Sequence, residues 1–139
     1  MNLSISHENE LLLNTVKSFL KAEIYPYEDE VDRTGQVPIQ LGRQIEERSK
    51  EVGLFAANLP ENIGGGGLNY SAMSLVEREY GKTTHALHSW IARPTELLLA
   101  CEGDQIERYL NPCVTGEKRE LFALTEPEAG SDVMGMKTN

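Results

Sequence analysis

The chain is short, acidic and poor in cysteine: its 139 residues include 22 Asp and Glu, 13 Lys and Arg and two Cys, for a formal net charge of −9. This length is enough for one domain, or for one domain with the start of a second. The acidic surface excludes binding to nucleic acid or to anionic membranes, and two cysteines outside any CxxC pair exclude a disulfide scaffold or a four-thiolate zinc site.

The sparse cysteines predict a cytoplasmic protein, and the amino terminus predicts an untargeted one that begins with a helix. Residues 1–10 lack the basic start and the apolar core of a secretion signal, and no stretch of the chain is apolar enough for membrane insertion. Ser4 or Ser6 can cap a first helix, because the apolar residues that follow recur at helical spacing as far as Ile24. Pro26 is expected to end or bend that helix.

A polar connection, a second helix and a loop are predicted next. Residues 27–36 are mostly polar and predict a connection. Pro38 suits the first turn of a helix, since an amide there has no intrahelical partner, and Gly53 is expected to end this helix. Residues 58–68 contain four consecutive glycines, which raise the backbone entropy and predict a flexible loop.

Two more helices are predicted from apolar spacing. Asn69 can cap a third helix that runs through Tyr80. An apolar segment over residues 86–101 predicts a fourth, with a kink or a junction of two helices at Pro94, which cannot donate to the preceding turn.

A short helix completes the predicted helical part. Asp104 and Glu107 stand at the spacing of a capping box, and Pro112 is expected to stop the helix just beyond Leu110. The first 115 residues therefore predict an all-α fold, an antiparallel helical bundle.

The carboxyl-terminal residues differ from this bundle. Residues 121–124 are an apolar run too short for a stable helix and predict a short β-strand, and residues 125–139 predict an irregular tail. Gly130 lets the backbone approach a ligand closely, and an adjacent amide together with the Ser131 hydroxyl suits a phosphate. From the residues alone, an ordinary strand-to-turn junction remains the alternative.

Other patterns resemble ligand sites but are incomplete. Residues 81–83 and 130–138 lack the spacing of a phosphate-binding P-loop, and the glycine run lacks the GxGxxG spacing and the preceding strand of a dinucleotide site. His85 and His88 stand three apart, as two metal ligands on one helix face would, but the sequence supplies no third ligand. We therefore expect no metal site, and no residue is assigned a catalytic role.

Residues 123–132 of the tail, Ala-Leu-Thr-Glu-Pro-Glu-Ala-Gly-Ser-Asp, resemble the signature of the acyl-CoA dehydrogenase family. Supporting similarity lies in residues 30–35, in residues 53–62 with the glycine run that follows, and in residues 105–117. The resemblance implies an amino-terminal helical domain over residues 1–117 and the truncated start of the family's β-domain over residues 118–139.

The resemblance also implies an FAD cofactor and the residues that contact it. Phe122, Leu124 and Thr125 are expected beside the flavin ring, with a hydrogen bond from Thr125 to the ring system. Gly130 and Ser131 are expected near the FAD pyrophosphate or the adjoining ligand chain.

The implied chemistry is α,β-dehydrogenation of an acyl-CoA thioester. In this family a glutamate of the C-terminal helical domain takes the α proton, and the flavin accepts a β hydride. That domain lies outside the 139 residues, so the chain is expected to be an inactive amino-terminal fragment. Glu128 departs from the commonest pattern, and a carboxylate so close to a phosphate is tolerated only when it points to solvent.

The resemblance implies partners for the complete protein as well. They are an acyl-CoA substrate and an electron-transfer flavoprotein, and the complete protein is expected to be a homo-oligomer. The alternative is a non-catalytic helical interaction module, or a truncated pseudoenzyme, that retains the family fold.

Overall fold

The computed structural model describes residues 5–137, which fold into helices joined by loops. The α-helices are α1 (His7–Glu23), α2 (Glu28–Thr34), α3 (Ile39–Glu51), α4 (Tyr70–Tyr80), α5 (His85–His88) and α6 (Asn111–Thr115). Short 3-10 helices lie at Tyr25–Tyr27, Glu61–Ile63, Glu96–Ala100 and Val133–Gly135, and a π-helical turn at Ile106–Leu110 precedes α6. The predicted all-α fold class is confirmed. Between residues 5 and 137, no helix is long and apolar enough to cross a membrane.

Side-chain caps begin two of the main helices, as the sequence predicts. At the start of α1, Ser6 Oγ accepts a hydrogen bond of 3.3 Å from the amide of Asn9. At the start of α4, Asn69 Oδ1 accepts one of 3.0 Å from the amide of Ala72. Each bond satisfies an amide that the first helical turn leaves without a partner. Ser4, the other predicted cap, lies outside the described residues.

Helix α2 occupies residues for which the sequence predicts only a polar connection. That prediction is wrong because Val31 is buried in the core, and this tertiary contact stabilises a short helix that polar spacing does not indicate. The carboxylate of Glu28 accepts a hydrogen bond of 2.8 Å from the amide of Thr84, which ties α2 to α5. Gly35 ends α2 with a φ of 67°, in the left-handed region that glycine adopts readily.

The predicted fourth helix is wrong over most of its length. Helix α5 covers only four residues, and helical turns resume at Glu96–Ala100. Between them, the carbonyl of Ala92 accepts a hydrogen bond of 2.9 Å from the amide of Ala56. The carbonyl of Pro94 accepts one of 2.9 Å from Asn58 Nδ2. These tertiary bonds replace intrahelical ones, and Pro94 has no amide with which to continue a helix.

Pro112 lies inside a helix instead of stopping it as predicted. Helical backbone runs from residue 104 through α6, and Gly116 ends it with a φ of 81°. A proline deprives the carbonyl four residues earlier of its amide partner. Here that carbonyl, of Arg108, accepts a hydrogen bond of 3.0 Å from Lys118 Nζ. The π-helical turn before α6 widens the helix where the proline ring has to fit.

The glycine run at residues 64–67 forms a loop, as predicted, but this loop is docked on the protein. The amide of Gly65 donates to the carbonyl of Pro60 at 3.0 Å, and the amide of Gly66 donates at 3.1 Å to another carbonyl of the preceding segment. A Cβ on Gly65 would lie 2.1 Å from the carbonyl oxygen of Leu59. Glycine is therefore required here for a close approach of two backbone segments.

Two apolar clusters form the core. The larger joins α1 to α5, and its most deeply buried members include Val16, Leu20, Ile24, Ile45, Val76 and Leu87. The smaller contains Phe55, Ala56, Leu59, Leu110 and Val114. Trp90 reaches α3 because Gly42 leaves room for it: a Cβ on Gly42 would lie 2.2 Å from Cε2 of the indole ring.

Residues 121–124 carry no β-strand, so the predicted strand is wrong for this structure. A strand is held by hydrogen bonds to a neighbouring strand, and residues 5–137 supply no such neighbour. The apolar run is exposed instead, with Leu121 at 96% and Phe122 at 81% of full exposure.

Candidate cofactor-binding segment

A buried carboxylate lies where the tail leaves the helices. The side chain of Glu46, on α3, is only 2% exposed. It accepts hydrogen bonds from Arg119 Nη2 at 2.7 Å and from Lys50 Nζ at 3.0 Å, and Arg43 lies 3.5 Å away. Burial acts to raise the pKa of Glu46, but the hydrogen bonds from Arg119 and Lys50 outweigh it, so the pKa lies below its ordinary value. Glu46 is therefore charged at neutral pH.

Two consecutive residues of the tail are tied back to the helical body. The guanidinium carbon of Arg119 lies 4.3 Å from the centroid of the Trp90 ring, within the range of a cation–π contact. The carboxylate of the next residue, Glu120, accepts a hydrogen bond from the amide of Thr95. The backbone just before Leu121 is therefore held in place on the helices.

The predicted flavin-contact residues Phe122, Leu124 and Thr125 follow directly. Phe122 is almost fully exposed and Leu124 is 39% exposed. Within the described part of the chain, neither the amides of these residues nor the Thr125 hydroxyl forms a hydrogen bond with the protein. Apolar surface and unpaired donors thus stand side by side, and a flat heteroaromatic ring with polar edges requires that combination.

The predicted phosphate-contact residues Gly130 and Ser131 lie in the turn that follows. The amide of Asp132 donates to the carbonyl of Ala129 at 2.9 Å, and Gly130 has a φ of 50°. Apart from its two chain neighbours, no atom of residues 5–137 lies within 4 Å of a Cβ built on Gly130, so a ligand can approach its backbone. Among residues 5–137 the Ser131 hydroxyl has no protein partner, so it is available as a donor.

Contacts with Lys137 close this turn into a loop. The amide of Lys137 donates to Glu126 Oε2 at 3.0 Å, and its Nζ pairs with Glu128 Oε2 at 2.9 Å. Glu128, which departs from the family pattern, is largely exposed and so has the solvent-facing placement that a nearby phosphate tolerates. Because Lys137 pairs with Glu128, it does not sit as the lysine of a P-loop does, and Thr138 lies outside the described residues.

His85 and His88 contact each other. His85 Nδ1 lies 3.0 Å from His88 Nε2, and His88 Nδ1 lies 3.0 Å from Thr83 Oγ1. Burial, followed by the charges of His85 and Arg93, lowers the pKa of His88, so this side chain is neutral at neutral pH. In the described range, no group of three or more His, Cys, Asp or Glu side chains is placed to hold a metal ion.

Sequence reasoning missed the Glu46 cluster, which we define as Glu46, Lys50, Trp90 and Arg119. A signal was present, because the buried residues of α3 are Gly42, Ile45, Glu46 and Ser49, which share one helix face. A carboxylate on a buried face needs a cationic partner. Its partner Arg119 stands 73 residues away, and sequence alone does not choose it among the other cations.

Comparison with known proteins gives both sequence relatives and a structural match. A family model described as "Acyl-CoA dehydrogenase, N-terminal domain" matches residues 6–117. The caffeyl-CoA reductase-Etf complex subunit CarC of Acetobacterium woodii is 31% identical over 139 residues, which cover 96% of this chain and 36% of that protein. The mitochondrial long-chain specific acyl-CoA dehydrogenase of Rattus norvegicus is 33% identical over 141 residues, covering 96% of this chain and 31% of that protein.

A solved structure shares the fold. The crystal structure of an acyl-CoA dehydrogenase from Bacillus anthracis, complexed with FAD, matches with a TM-score of 0.76 and 26% sequence identity. The match covers 96% of this chain and 23% of that one. The chain therefore spans between 23% and 36% of the length of these similar proteins.

Proposed function

This chain belongs to the acyl-CoA dehydrogenase family, and from that premise we propose that it is the amino-terminal part of an FAD-dependent enzyme that dehydrogenates acyl-CoA thioesters. The observation that carries the proposal is the open segment from Phe122 to Ser131, where the exposed side chains of Phe122 and Leu124 adjoin the Thr125 and Ser131 hydroxyls, which have no partner among residues 5–137. Exposed apolar patches of this kind mark binding surfaces, because water solvates them poorly.

The proposed division of the chain places an amino-terminal helical domain at residues 1–117 and the start of a β-domain at residues 118–139. Two observations support this division. Gly116 ends the last α-helix with a left-handed backbone. Beyond it, in the described part of the tail, the only regular element is a single turn of 3-10 helix at Val133–Gly135.

Each side chain of the open segment has a proposed role toward FAD. Phe122 and Leu124 would cover one side of the flavin ring and exclude water from it, and Thr125 would donate a hydrogen bond to its polar edge. Gly130 and Ser131 would bind the pyrophosphate through an amide and a hydroxyl, which allows an acidic protein to hold an anion without a cationic side chain. FAD, when bound, supplies the hydride acceptor of the reaction.

The proposed partners are an acyl-CoA substrate and an electron-transfer flavoprotein. Support for the second comes from the relative CarC, which is named as a subunit of a complex with Etf. We also propose a homo-oligomeric complete protein in the cytoplasm. Both cysteines are free in the structure, which is compatible with a reducing compartment.

We propose that the 139-residue chain does not turn over substrate by itself. The family's general base is a glutamate of the C-terminal helical domain, and a base has to lie within hydrogen-bond reach of the α proton. The test is to add FAD and an acyl-CoA to the isolated chain and to follow the flavin absorbance. The flavin absorbance should persist. Substrate-dependent bleaching with turnover would contradict the proposal that the isolated chain is inactive for lack of a general base.

The reading frame beyond Asn139 separates this proposal from a non-catalytic interaction module or pseudoenzyme. A frame that continues into a β-domain and a helical domain with a glutamate base supports the enzyme. A stop codon at that position would support the module.

A further inference from the structure

The Glu46 cluster lies at the junction between the helical body and the open segment. We propose that Glu46 is a positioning residue: through Arg119 it determines where residues 121–125 leave the helices, and hence where they meet the flavin. This inference rests on the proposed function of the open segment.

Three consecutive side chains anchor the junction to different parts of the body. Lys118 Nζ donates to the carbonyl of Arg108 at 3.0 Å, and Arg119 Nη2 donates to Glu46 Oε2 at 2.7 Å. The carboxylate of Glu120 accepts from the amide of a residue in the segment before Glu96–Ala100. Of the three, only the Arg119 contact reaches a buried side chain, so water competes least with it.

The contacts of Arg119 fix the orientation of its guanidinium as well as its distance from Glu46. Its planar guanidinium lies between the Glu46 carboxylate and the face of the Trp90 ring, so it is held in one plane. Gly116 brings the chain directly against the same carboxylate: a Cβ there would lie 2.8 Å from Glu46 Oε1 and 2.9 Å from Cζ of Phe55. The backbone therefore passes too close to the carboxylate for a side chain to fit at this position.

Stability alone does not account for a charge at this position. A buried ion pair is seldom more stabilising than apolar side chains of similar volume, because both charges lose their hydration. Glu46 shares its helix face with Gly42 and Ile45, where an apolar residue would serve packing. What a carboxylate adds is a hydrogen bond of 2.7 Å to Arg119, the residue that stands three positions before the open segment.

A distance measurement tests the positioning role without flavin. Trp90 is the only tryptophan of the chain and serves as an energy-transfer donor. The acceptor is a dye on the fully exposed position of Leu121→Cys, in a Cys101→Ser background that leaves the other native cysteine buried. Time-resolved transfer then gives the distribution of distances between the two positions.

The variants Glu46→Gln and Arg119→Met should each widen this distribution about twofold, because the released residues sample more backbone states. The distance distribution of the double variant should be no wider than that of either single variant, since both substitutions remove the same contact between Glu46 and Arg119. Glu47→Gln is the matched control: Glu47 pairs with the same Lys50 at 2.9 Å, yet it is exposed and does not contact Arg119. A distribution in Arg119→Met as narrow as in the parent chain would overturn the proposal, even if Glu46→Gln failed to fold.

A second readout connects the cluster to the cofactor. When FAD is titrated into the isotopically labelled chain, the amide shifts it induces at residues 122–125 should shrink about twofold in Glu46→Gln and stay unchanged in Glu47→Gln. Equal shifts in both variants would contradict the positioning role. Shifts absent from every variant, with the distance distribution still dependent on Glu46, would instead contradict the proposed flavin site and with it the link to the flavin.

Discussion

The helical body and the tail use apolar residues in opposite ways. In the body, over residues 7–116, Leu20 and its neighbours are buried, and even the glycine run is docked by backbone hydrogen bonds. In the tail, Leu121 and Phe122 are exposed, and Lys137 pairs locally with Glu126 and Glu128. In the body, apolar side chains are buried in the folded core, whereas in the tail the same residue types are exposed. The contrast marks where the folded core ends and where the proposed cofactor-binding segment begins.

The largest expected effect is the difference in unfolding free energy between alanine substitutions of two leucines, one in the body and one in the tail. Leu20→Ala removes a fully buried side chain and should lower the free energy of unfolding by about 2–5 kcal/mol. Leu121→Ala removes an exposed one and should change it by less than about 0.5 kcal/mol. Urea unfolding followed by circular dichroism measures both. A comparable loss in the Leu121 variant would mean that the tail is part of the core.

A smaller effect should appear at Gly42. Gly42→Ala places a Cβ 2.2 Å from Cε2 of Trp90, so the indole has to move, at a cost of about 1–3 kcal/mol. The control is Gly81→Ala, since Gly81 has a φ of −63° and its Cβ would meet the carbonyl oxygens of Glu77 at 3.4 Å and Arg78 at 3.9 Å, both ordinary contact distances. That change should be neutral or stabilise by up to about 1 kcal/mol. Trp90 fluorescence and the urea midpoints of unfolding measure both changes. If Gly42→Ala shifted neither the emission nor the midpoint, the close packing of Trp90 on Gly42 would be refuted.

The smallest effect is the pH dependence of the free energy of unfolding, which tests the Glu46 cluster where the tail leaves the helices. The pKa of Glu46 is below its ordinary value, so its contribution to stability is complete above about pH 4.3 and is lost as pH falls through the lowered pKa. Glu79 adds to this loss, because the hydrogen bond from Lys82 lowers its pKa by more than burial raises it.

Unfolding free energies measured at neutral and acidic pH check this sign. Glu46→Gln should lose less stability on acidification than the parent chain, because it has one fewer carboxylate to protonate. Glu128→Gln, in the tail, should leave the free energy of unfolding at neutral pH nearly unchanged, since Glu128 and Lys137 form an exposed pair. An unchanged pH slope in Glu46→Gln would show that Arg119 and Lys50 do not hold the carboxylate ionised.

Local chemistry made part of the fold predictable from sequence. The caps at Ser6 and Asn69 depend only on amides within the next three residues, so their patterns carry over directly into the structure. Pro112 does not stop its helix, because a lysine side chain from a later residue satisfies the carbonyl that the proline leaves free. A helix-stop pattern read around Pro112 does not include this lysine, Lys118, so it could not indicate that the helix continues.

The same distinction applies to the candidate site. The open segment is a continuous motif, so its residues could be proposed from the sequence alone. The Glu46 cluster joins residues 73 positions apart and depends on the fold that brings them together. The predicted strand at residues 121–124 is absent for a related reason, since a strand exists only beside a partner strand.

An NMR titration of the 139-residue chain with millimolar FAD tests whether residues 122–131 face the flavin. Such a titration detects weak binding and assigns it to individual amides. Shifts are expected to be concentrated between Phe122 and Ser131, while the docked glycine run at residues 64–67 stays unchanged. Shifts at the glycine run with an unaffected tail, or no shifts at all, would contradict this expectation.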